Sequence, residues 1–105
     1  KKQDYLNSSE LFEISCNNGD IDSCSALGIM YLNGYGIKQS YSKSKDLFAK
    51  ACNGGYSDGC FNLGNIYENG HGVKQDYLKA KDLFIKACNG GNIVSCVKRS
   101  EKIGS

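Results

Sequence analysis

The sequence predicts an all-α protein, an α/α solenoid made of repeated helix pairs. Three observations predict this fold class. Six cysteines occur as three pairs, each pair separated by 8 residues, and the pairs recur every 36 residues. The residues around the cysteines recur with the same period, which indicates a repeat architecture. Apolar residues between the turn signals follow helical spacing rather than strand spacing.

The repeat is visible in the residues that flank the cysteines. The hexapeptide "KACNGG" occupies 50–55 and returns at 86–91. The segment "LNGYGIKQSY" at 32–41 is matched by "ENGHGVKQDY" at 68–77, and "KQDY" is also found at 2–5. A register kept over this length predicts that each copy folds as the same supersecondary unit.

Each unit is predicted to start with a helix that contains a Leu-Gly pair, called a first helix below. The segments "DSCSALGIMYLNG" (22–34) and "DGCFNLGNIYENG" (58–70) place Cys, Leu and Tyr at i, i+3 and i+7. These positions share one helix face. Asp22 and Asp58 suit a first turn, and the Asn-Gly pairs suit a left-handed C-terminal cap.

A helix containing "DLF" follows in each unit, called a second helix below. These helices are predicted at about 41–52 and 77–88, with Ser40 and Asp76 as N-caps. We expect six helices in antiparallel pairs and no strand. The predicted layout is a single domain over 1–105, with a partial repeat at about 4–16, repeats at 22–52 and 58–88, and a terminal capping helix at 93–102.

The cysteine spacing predicts one disulfide in each repeat. On one continuous helix, residues i and i+8 lie about 12 Å apart, too far for a disulfide, whose Cα atoms lie about 4.4–6.8 Å apart. The "NGG" breaks let the chain turn back, so that cysteines 8 residues apart can meet. The predicted pairs are Cys16–Cys24, Cys52–Cys60 and Cys88–Cys96.

Composition excludes several functional classes. The chain has 105 residues, 40% hydrophobic and 23% charged, with a net charge of +2. No basic tract indicates nucleic-acid binding, and no apolar run is long enough for membrane insertion. Six cysteines indicate an oxidising compartment. Because the sequence shows no signal peptide and does not begin with Met, we expect a mature chain or a segment of a longer protein that carries further repeats.

Metal, redox and hydrolase sites have weak signals. His71 is the single histidine and the cysteine pairs are far apart, so we expect no metal and no cofactor. Redox-active thiols are commonly spaced C-x-x-C, which favours structural bridges here. Three S-x-x-K matches begin at Ser40, Ser42 and Ser95, but neither "SDN" nor "KTG" accompanies them. The catalytic residues of any enzyme activity are therefore unknown.

The repeat unit resembles the Sel-like repeat family, and its cysteine pairs are similar to those of the Helicobacter cysteine-rich branch. This resemblance implies an α-solenoid with one disulfide in each repeat, and it implies export. Members of the branch are often described as β-lactamases or penicillin-binding proteins, and wider relatives are adaptors in protein complexes. The residues that carry the resemblance are Ala51-Cys52-Asn53-Gly54-Gly55, Cys60, Leu63-Gly64, Tyr67, Asn69-Gly70-His71-Gly72-Val73 and Asp82-Leu83-Phe84, with their copies one repeat earlier.

The last unit departs from the family pattern. Arg99 and Ser100 occupy the Leu-Gly positions, and Ile103 replaces the tyrosine. This is typical of a terminal capping helix.

A concave groove lined by the first helices is the predicted binding surface. By analogy with tetratricopeptide repeats, its residues are the variable positions around Leu-Gly and Tyr: Ser25, Ile29, Leu32, Asn33, Asp58, Phe61, Asn65, Glu68 and Asn69. We expect a secreted or periplasmic bacterial module that binds a partner protein, a peptide or a peptidoglycan fragment. The alternative is a β-lactamase-type hydrolase of penicillins or cephalosporins.

Overall fold

The computed structural model describes the backbone of residues 2–100 and the side chains of residues 8–99, and this part of the chain contains six helices and no strand. The molecule is elongated, with extents of 42 × 23 × 19 Å. Each helix packs against the next along the chain. The helices are α1 (Lys2–Asn17), α2 (Ile21–Asn33), α3 (Tyr41–Asn53), α4 (Ser57–Asn69), α5 (Tyr77–Asn89) and α6 (Ile93–Ser100).

The predicted fold class is confirmed: α2, α4 and α6 are first helices, and α1, α3 and α5 are second helices. The internal helices begin and end within one residue of their predicted bounds. The helix predicted at 93–102 ends at Ser100, and residues 101–105 lie outside the described part of the chain.

The predicted caps form in both complete repeats. Ser40 Oγ accepts a hydrogen bond from the backbone N–H of Lys43 at 3.2 Å, and Asp76 Oδ1 accepts one from Lys79 at 3.0 Å. Gly34 ends α2 with φ +71°, in the left-handed region that costs glycine no steric penalty. These caps fix where each first helix ends and each second helix begins.

Close contact between a glycine and a phenylalanine joins the two helices of each pair. A Cβ placed on Gly28 of α2 would lie 2.8 Å from Phe48 Cε1 of α3. The same contact recurs between Gly64 of α4 and Phe84 of α5 at 2.6 Å. Both rings are buried, with exposed fractions of 0% and 2%. The glycines thus let a ring lie directly on the backbone of the neighbouring helix.

Three disulfides join the turns between second and first helices, as predicted. Their Cα–Cα distances are 4.6, 4.5 and 4.6 Å. They are called the first bridge (Cys16–Cys24), the middle bridge (Cys52–Cys60) and the last bridge (Cys88–Cys96) below. Both cysteines of the first and middle bridges are buried, whereas both cysteines of the last bridge are partly exposed. Leu47 packs against the cluster of the first bridge and Leu83 against that of the middle bridge.

Candidate binding groove

A depression of about 300 Å³ lies between the first helices α2 and α4. It contains four of the nine residues predicted for the groove. Two come from α2, two from α4, and three further residues complete the lining. The four predicted residues are Ser25, Ile29, Asp58 and Phe61, and the other three are Tyr56, Asn62 and Asn92.

Phe61 connects this depression to the core. Its side chain is half-buried and packs against the cluster formed by the middle bridge and Ala87. Its ring centroid lies 6.1 Å from that of Phe84, at an interplanar angle of 48°. Aromatic rings at this separation attract each other favourably. One part of the Phe61 ring is therefore held by the core while another part lines the depression.

Ile29 supplies a second apolar contact in the depression, and Ser25 lies at its base. Ile29 is 40% exposed, although it lies on a helix with six buried residues. Ser25 is 4% exposed. Ile29 and Phe61, on two different repeats, therefore both contribute apolar surface to the depression.

The polar part of the depression is a hydrogen-bonded group around Asp58. Asn92 donates from Nδ2 to Asp58 Oδ1 at 2.9 Å, and the Tyr56 hydroxyl also donates to Asp58. Burial raises the pKa of Tyr56 above its usual 10.0, and the carboxylates of Asp58 and Asp22 raise it further. Tyr56 is therefore a neutral donor at physiological pH, and Asp58 is held in a fixed position.

Charge is divided between the two kinds of helix. The internal first helices, α2 and α4, carry the acidic residues Asp22, Asp58 and Glu68 and no lysine or arginine. The internal second helices, α3 and α5, carry three lysines and one aspartate each. The depression between α2 and α4 therefore lies on an acidic surface, although the whole chain is slightly basic.

The other five predicted groove residues do not line this depression. Leu32 is half-buried and packs against the cluster around Phe48. Glu68 forms an ion pair with Lys98 at 2.8 Å, and the Lys98 ammonium lies 5.1 Å from the centre of the Phe84 ring. The remaining three predicted residues, which are at least partly exposed, are Asn33, Asn65 and Asn69.

Sequence reasoning missed Tyr56, Asn62, Asn92 and Lys98. The groove was predicted from variable positions within the internal first helices. Tyr56 and Asn92 were not considered, because each lies just before a first helix. Their shared repeat position was a usable signal: it holds Asp20, Tyr56 and Asn92 in the three units. A polar group that recurs just before every first helix is placed at the same end of every helix pair.

A second depression, of about 440 Å³, lies beside the loop between α2 and α3. It contains none of the predicted groove residues. Lys43 lies in its wall, with its ammonium 5.2 Å from the centre of the Tyr31 ring. Because this depression belongs to a single repeat, it does not form a groove that crosses repeats.

The serines of the three S-x-x-K matches have separate surroundings. Ser40 caps α3, Ser42 is exposed on α3, and Ser95 is fully buried in α6. Among the residues that the structure describes, no three His, Cys, Asp or Glu side chains are grouped as metal ligands. None of the described helices is both long and apolar enough to cross a membrane.

The sequence matches a family model in two consecutive segments. The Sel1 repeat model matches residues 21–56 and 57–92, so each match contains one complete helix pair. Comparison with curated protein sequences finds no match to this chain.

Several solved structures have the same fold, each with a TM-score of 0.82. A Sel1 repeat protein from Oxalobacter formigenes is 23% identical and is aligned over 87% of this chain and 37% of its own. The protective antigen c5321 of uropathogenic Escherichia coli, described as having an SLR fold, is 28% identical over 87% of this chain and 20% of its own. Cysteine-rich protein B of Helicobacter pylori is 30% identical over 86% of this chain and 68% of its own. This chain thus spans well under half the length of the first two proteins.

Proposed function

Because the chain belongs to the Sel1 repeat family, we propose that it is a binding module that holds an extended peptide segment of a partner protein between α2 and α4. The depression there crosses the boundary between two repeats, as an extended ligand requires. The side chains that such a peptide would meet differ between units, since the Phe61 position is Ser25 in the preceding unit and Val97 in the following one.

The observation that carries this proposal is the composition of the depression. Ile29 and Phe61 provide apolar contacts, and the hydroxyl and amide groups of Tyr56, Asn62 and Asn92 provide hydrogen-bonding partners. An aromatic anchor partly held by the core loses little conformational entropy when a ligand binds. Amide side chains can pair with both the N–H and the C=O groups of a peptide backbone.

The charge of the surface favours a cationic ligand. Asp22 and Asp58 lie close enough to Tyr56 to raise its pKa, so two carboxylates act at this end of the depression. No lysine or arginine of α2 or α4 offsets them. A lysine or arginine side chain could lay its aliphatic part on Ile29 or Phe61 and place its cation near Asp58. The proposed ligand is therefore a peptide that combines an apolar residue with neighbouring basic residues.

The proposed location is the periplasm or the extracellular space. Disulfides persist in oxidising compartments and are rare in reducing ones. This chain has three in 105 residues. The similarity to a cysteine-rich Helicobacter protein supports the same location. For the β-lactamase-type alternative, the hydroxyl of Ser23 donates to the Asp20 carboxylate at 2.9 Å, but Ser23 is only 7% exposed and is therefore poorly accessible to a substrate.

Fluorescence anisotropy with two labelled peptides tests the proposal. Both carry one central leucine, which is flanked by lysines in the first and by glutamates in the second. The lysine peptide should bind at least about tenfold more tightly at low salt. The difference should shrink as salt is raised, because exposed charges are screened. Asp58→Asn should weaken binding of the lysine peptide. Leu78→Ala, which removes an exposed apolar side chain from α5, should leave this binding unchanged.

If both peptides bind equally and Asp58→Asn changes the binding of neither, the charge argument is wrong. If neither peptide binds, the groove is not a peptide site. Two further measurements test the other possible ligands. An unlabelled peptidoglycan fragment, used as a competitor, distinguishes a cell-wall ligand from a protein segment. The same preparation is also assayed for nitrocefin hydrolysis, with the Cys52→Ser/Cys60→Ser variant as the control. Hydrolysis by the unmodified chain but not by this variant would favour the hydrolase alternative.

A further inference from the structure

Two carboxylates occupy the same repeat position in the two internal first helices. Asp22 lies in the first turn of α2 and Asp58 in the first turn of α4, and both side chains are exposed. Because the two units repeat the same fold, both side chains project from the same side of the solenoid. A ligand that crosses from α2 to α4 therefore meets one carboxylate on each helix.

Tyr56 lies next to both of these carboxylates. Its hydroxyl donates to Asp58, and Asp22 of the preceding unit is close enough to raise its pKa. Asn92 stands in the same relation to Asp58 as Tyr56 does to Asp22, 34 residues further along the chain, and it donates to Asp58 at 2.9 Å. Each carboxylate is thus held beside the residue that precedes the next first helix.

The distance between the two carboxylates follows from the packing of the helices. Both α2 and α4 pack against α3, and both line the same depression. Since packed helices have axes about 8–10 Å apart, equivalent positions on successive first helices are separated by about 10 Å. A ligand that pairs with both carboxylates must present two basic side chains on one face at this separation.

One extended conformation matches this separation. In a β-strand, side chains on one face are about 6.7 Å apart at two residues and about 13 Å apart at four residues. In a polyproline II helix, three residues complete a turn and rise about 9.3 Å, so that residues i and i+3 face the same way. We propose that the bound segment is a polyproline II helix with basic residues at i and i+3, one paired with Asp22 and the other with Asp58. This inference rests on the proposed peptide-binding function and specifies the ligand of that site.

A residue between the two basic ones meets the apolar part of the depression. Ser25 stands in α2 where α4 has Phe61, and its smaller side chain leaves space beside Ile29 and the Phe61 ring. In a polyproline II helix, residues i+1 and i+2 point away from the face of the basic pair in two different directions. One of them therefore turns toward this space, and an apolar side chain such as leucine fills it.

An α-helical ligand uses the site less completely. Residues i and i+7 of an α-helix are also about 10.5 Å apart, but its backbone N–H and C=O groups bond to one another. A polyproline II helix has no internal hydrogen bonds, so its backbone groups can pair with the amide of Asn62, which lines the depression. Grooves lined by aromatic side chains, as Tyr56 and Phe61 line this one, are a common site for polyproline II segments.

Peptides of identical composition test the spacing by fluorescence anisotropy. Each contains two lysines and one leucine among alanines, with the leucine directly after the first lysine and the lysines two, three, four or seven residues apart. The three-residue spacing should bind about two- to fivefold more tightly than the others, which form only one of the two exposed ion pairs. Proline in place of the alanine between its lysines should add about two- to fivefold, because it favours the bound conformation in the free peptide.

Two variants of the protein test the pairing. Asp22→Asn and Asp58→Asn should each weaken the peptide of three-residue spacing about two- to fivefold. A peptide with norleucine in place of the first lysine should respond to only one of the two variants, and a peptide with norleucine in place of the second lysine only to the other. Asp46→Asn, which removes an exposed carboxylate from α3, is the matched control and should change no affinity. Urea midpoints check that all three variants fold.

The outcomes separate this inference from the peptide site itself. If all spacings bind equally and Asp58→Asn weakens them alike, the peptide site is supported but the paired carboxylates are not. Tightest binding at two or four residues would indicate a β-strand and at seven an α-helix, and either result overturns the polyproline II conformation. If no peptide binds, the proposed function is wrong and this inference is wrong with it.

Discussion

The ring of Phe84 lies so close to Gly64 that a Cβ on the glycine would come within 2.6 Å of ring atom Cε1. The contact recurs between Phe48 and Gly28 at 2.8 Å. Real Cβ atoms do not approach ring carbons this closely, so a side chain at either glycine requires the helices to separate or the ring to move. The absence of a side chain at this glycine therefore allows the two helices of a unit to pack at this distance.

Gly64→Leu should destabilise the fold by about 3 kcal/mol, because the side chain overpacks the contact with Phe84. Better helix propensity recovers about 1 kcal/mol at most. Asn65→Ala is the control: it changes the next residue of the same helix, which is only half-buried. Urea denaturation of both variants measures the effect, and equal midpoints would show that the glycine contact does not constrain the helix pair.

Ser44→Ala should stabilise the protein by about 1 kcal/mol. The Ser44 hydroxyl is fully buried and lacks a hydrogen-bond partner in the structure, which is costly. The same position in the next repeat is Ala80, also buried, so alanine fits this environment. The reciprocal change, Ala80→Ser, should destabilise by a similar amount. Denaturant midpoints test both, with the exposed Ser42→Ala as a control that should change little.

The sequence was sufficient to predict the helices, their caps and the cysteine pairing because each depends on local chemistry that repeats. A cap needs only Ser40 or Asp76 beside a free backbone N–H, and a bridge needs only two cysteines on either side of a chain reversal. The hydroxyl of Ser44 could not be recognised as unpaired, because that depends on the side chains that the fold places around it.

The three bridges should be reduced in a definite order, with the last bridge first. Thiol–disulfide exchange requires a thiolate to reach a sulfur atom. Cys88 and Cys96 are partly exposed, whereas Cys16, Cys24, Cys52 and Cys60 are 2% exposed or less. Brief treatment with dithiothreitol followed by alkylation and peptide mapping should label the last bridge before the others. Simultaneous labelling of all three would show that reduction follows global unfolding instead.

High pH should weaken the fold through Tyr56. Burial and the nearby carboxylates raise the pKa of Tyr56 in the folded state, so the folded chain keeps a proton that the unfolded chain loses near its usual 10.0. The stabilisation from this residue is complete below pH 10.0 and declines as the pH rises from there through the folded-state pKa. Above pH 10.0, the free energy of unfolding of Tyr56→Phe should therefore fall less steeply with pH than that of the unmodified chain. Urea unfolding measures both.

A spectroscopic titration separates this effect from general alkaline denaturation. The difference in tyrosinate absorbance between the unmodified chain and Tyr56→Phe measures the ionisation of Tyr56. This difference should appear above pH 10.0. If this difference appears below that pH, the buried environment of Tyr56 beside Asp58 and Asp22 is not formed in solution.

The groove was harder to predict from sequence than the fold. The structure brings Ile29, Asp58 and Phe61 to one depression between first helices. Glu68 instead pairs with Lys98, a contact across 30 residues that the sequence does not indicate. Variable helix positions indicate which side chains a ligand could reach. They do not reveal which of those side chains another repeat already occupies.

Phe61 contacts both the core and the depression, so its removal should affect stability and binding together. The ring packs against the middle bridge and Phe84, and it also lines the depression with Ile29. Because the side chain is half-buried, Phe61→Ala should cost about 2 kcal/mol of stability, less than the 3–5 kcal/mol typical of a fully buried phenylalanine. As the proposed anchor, it should also carry about 2 kcal/mol of the affinity for the lysine peptide.

A variant that loses stability without touching the depression distinguishes the two roles. Ile66 is 1% exposed and belongs to the neighbouring core cluster around Phe48, so Ile66→Ala should lower stability by about 2–5 kcal/mol. The affinity of its folded fraction should remain normal, whereas that of folded Phe61→Ala should fall about 30-fold. Urea unfolding and peptide anisotropy on the same preparations give both quantities. Equal affinity losses in the two variants would mean that Phe61 acts only through the stability of the core, and full affinity in Phe61→Ala would remove it from the site.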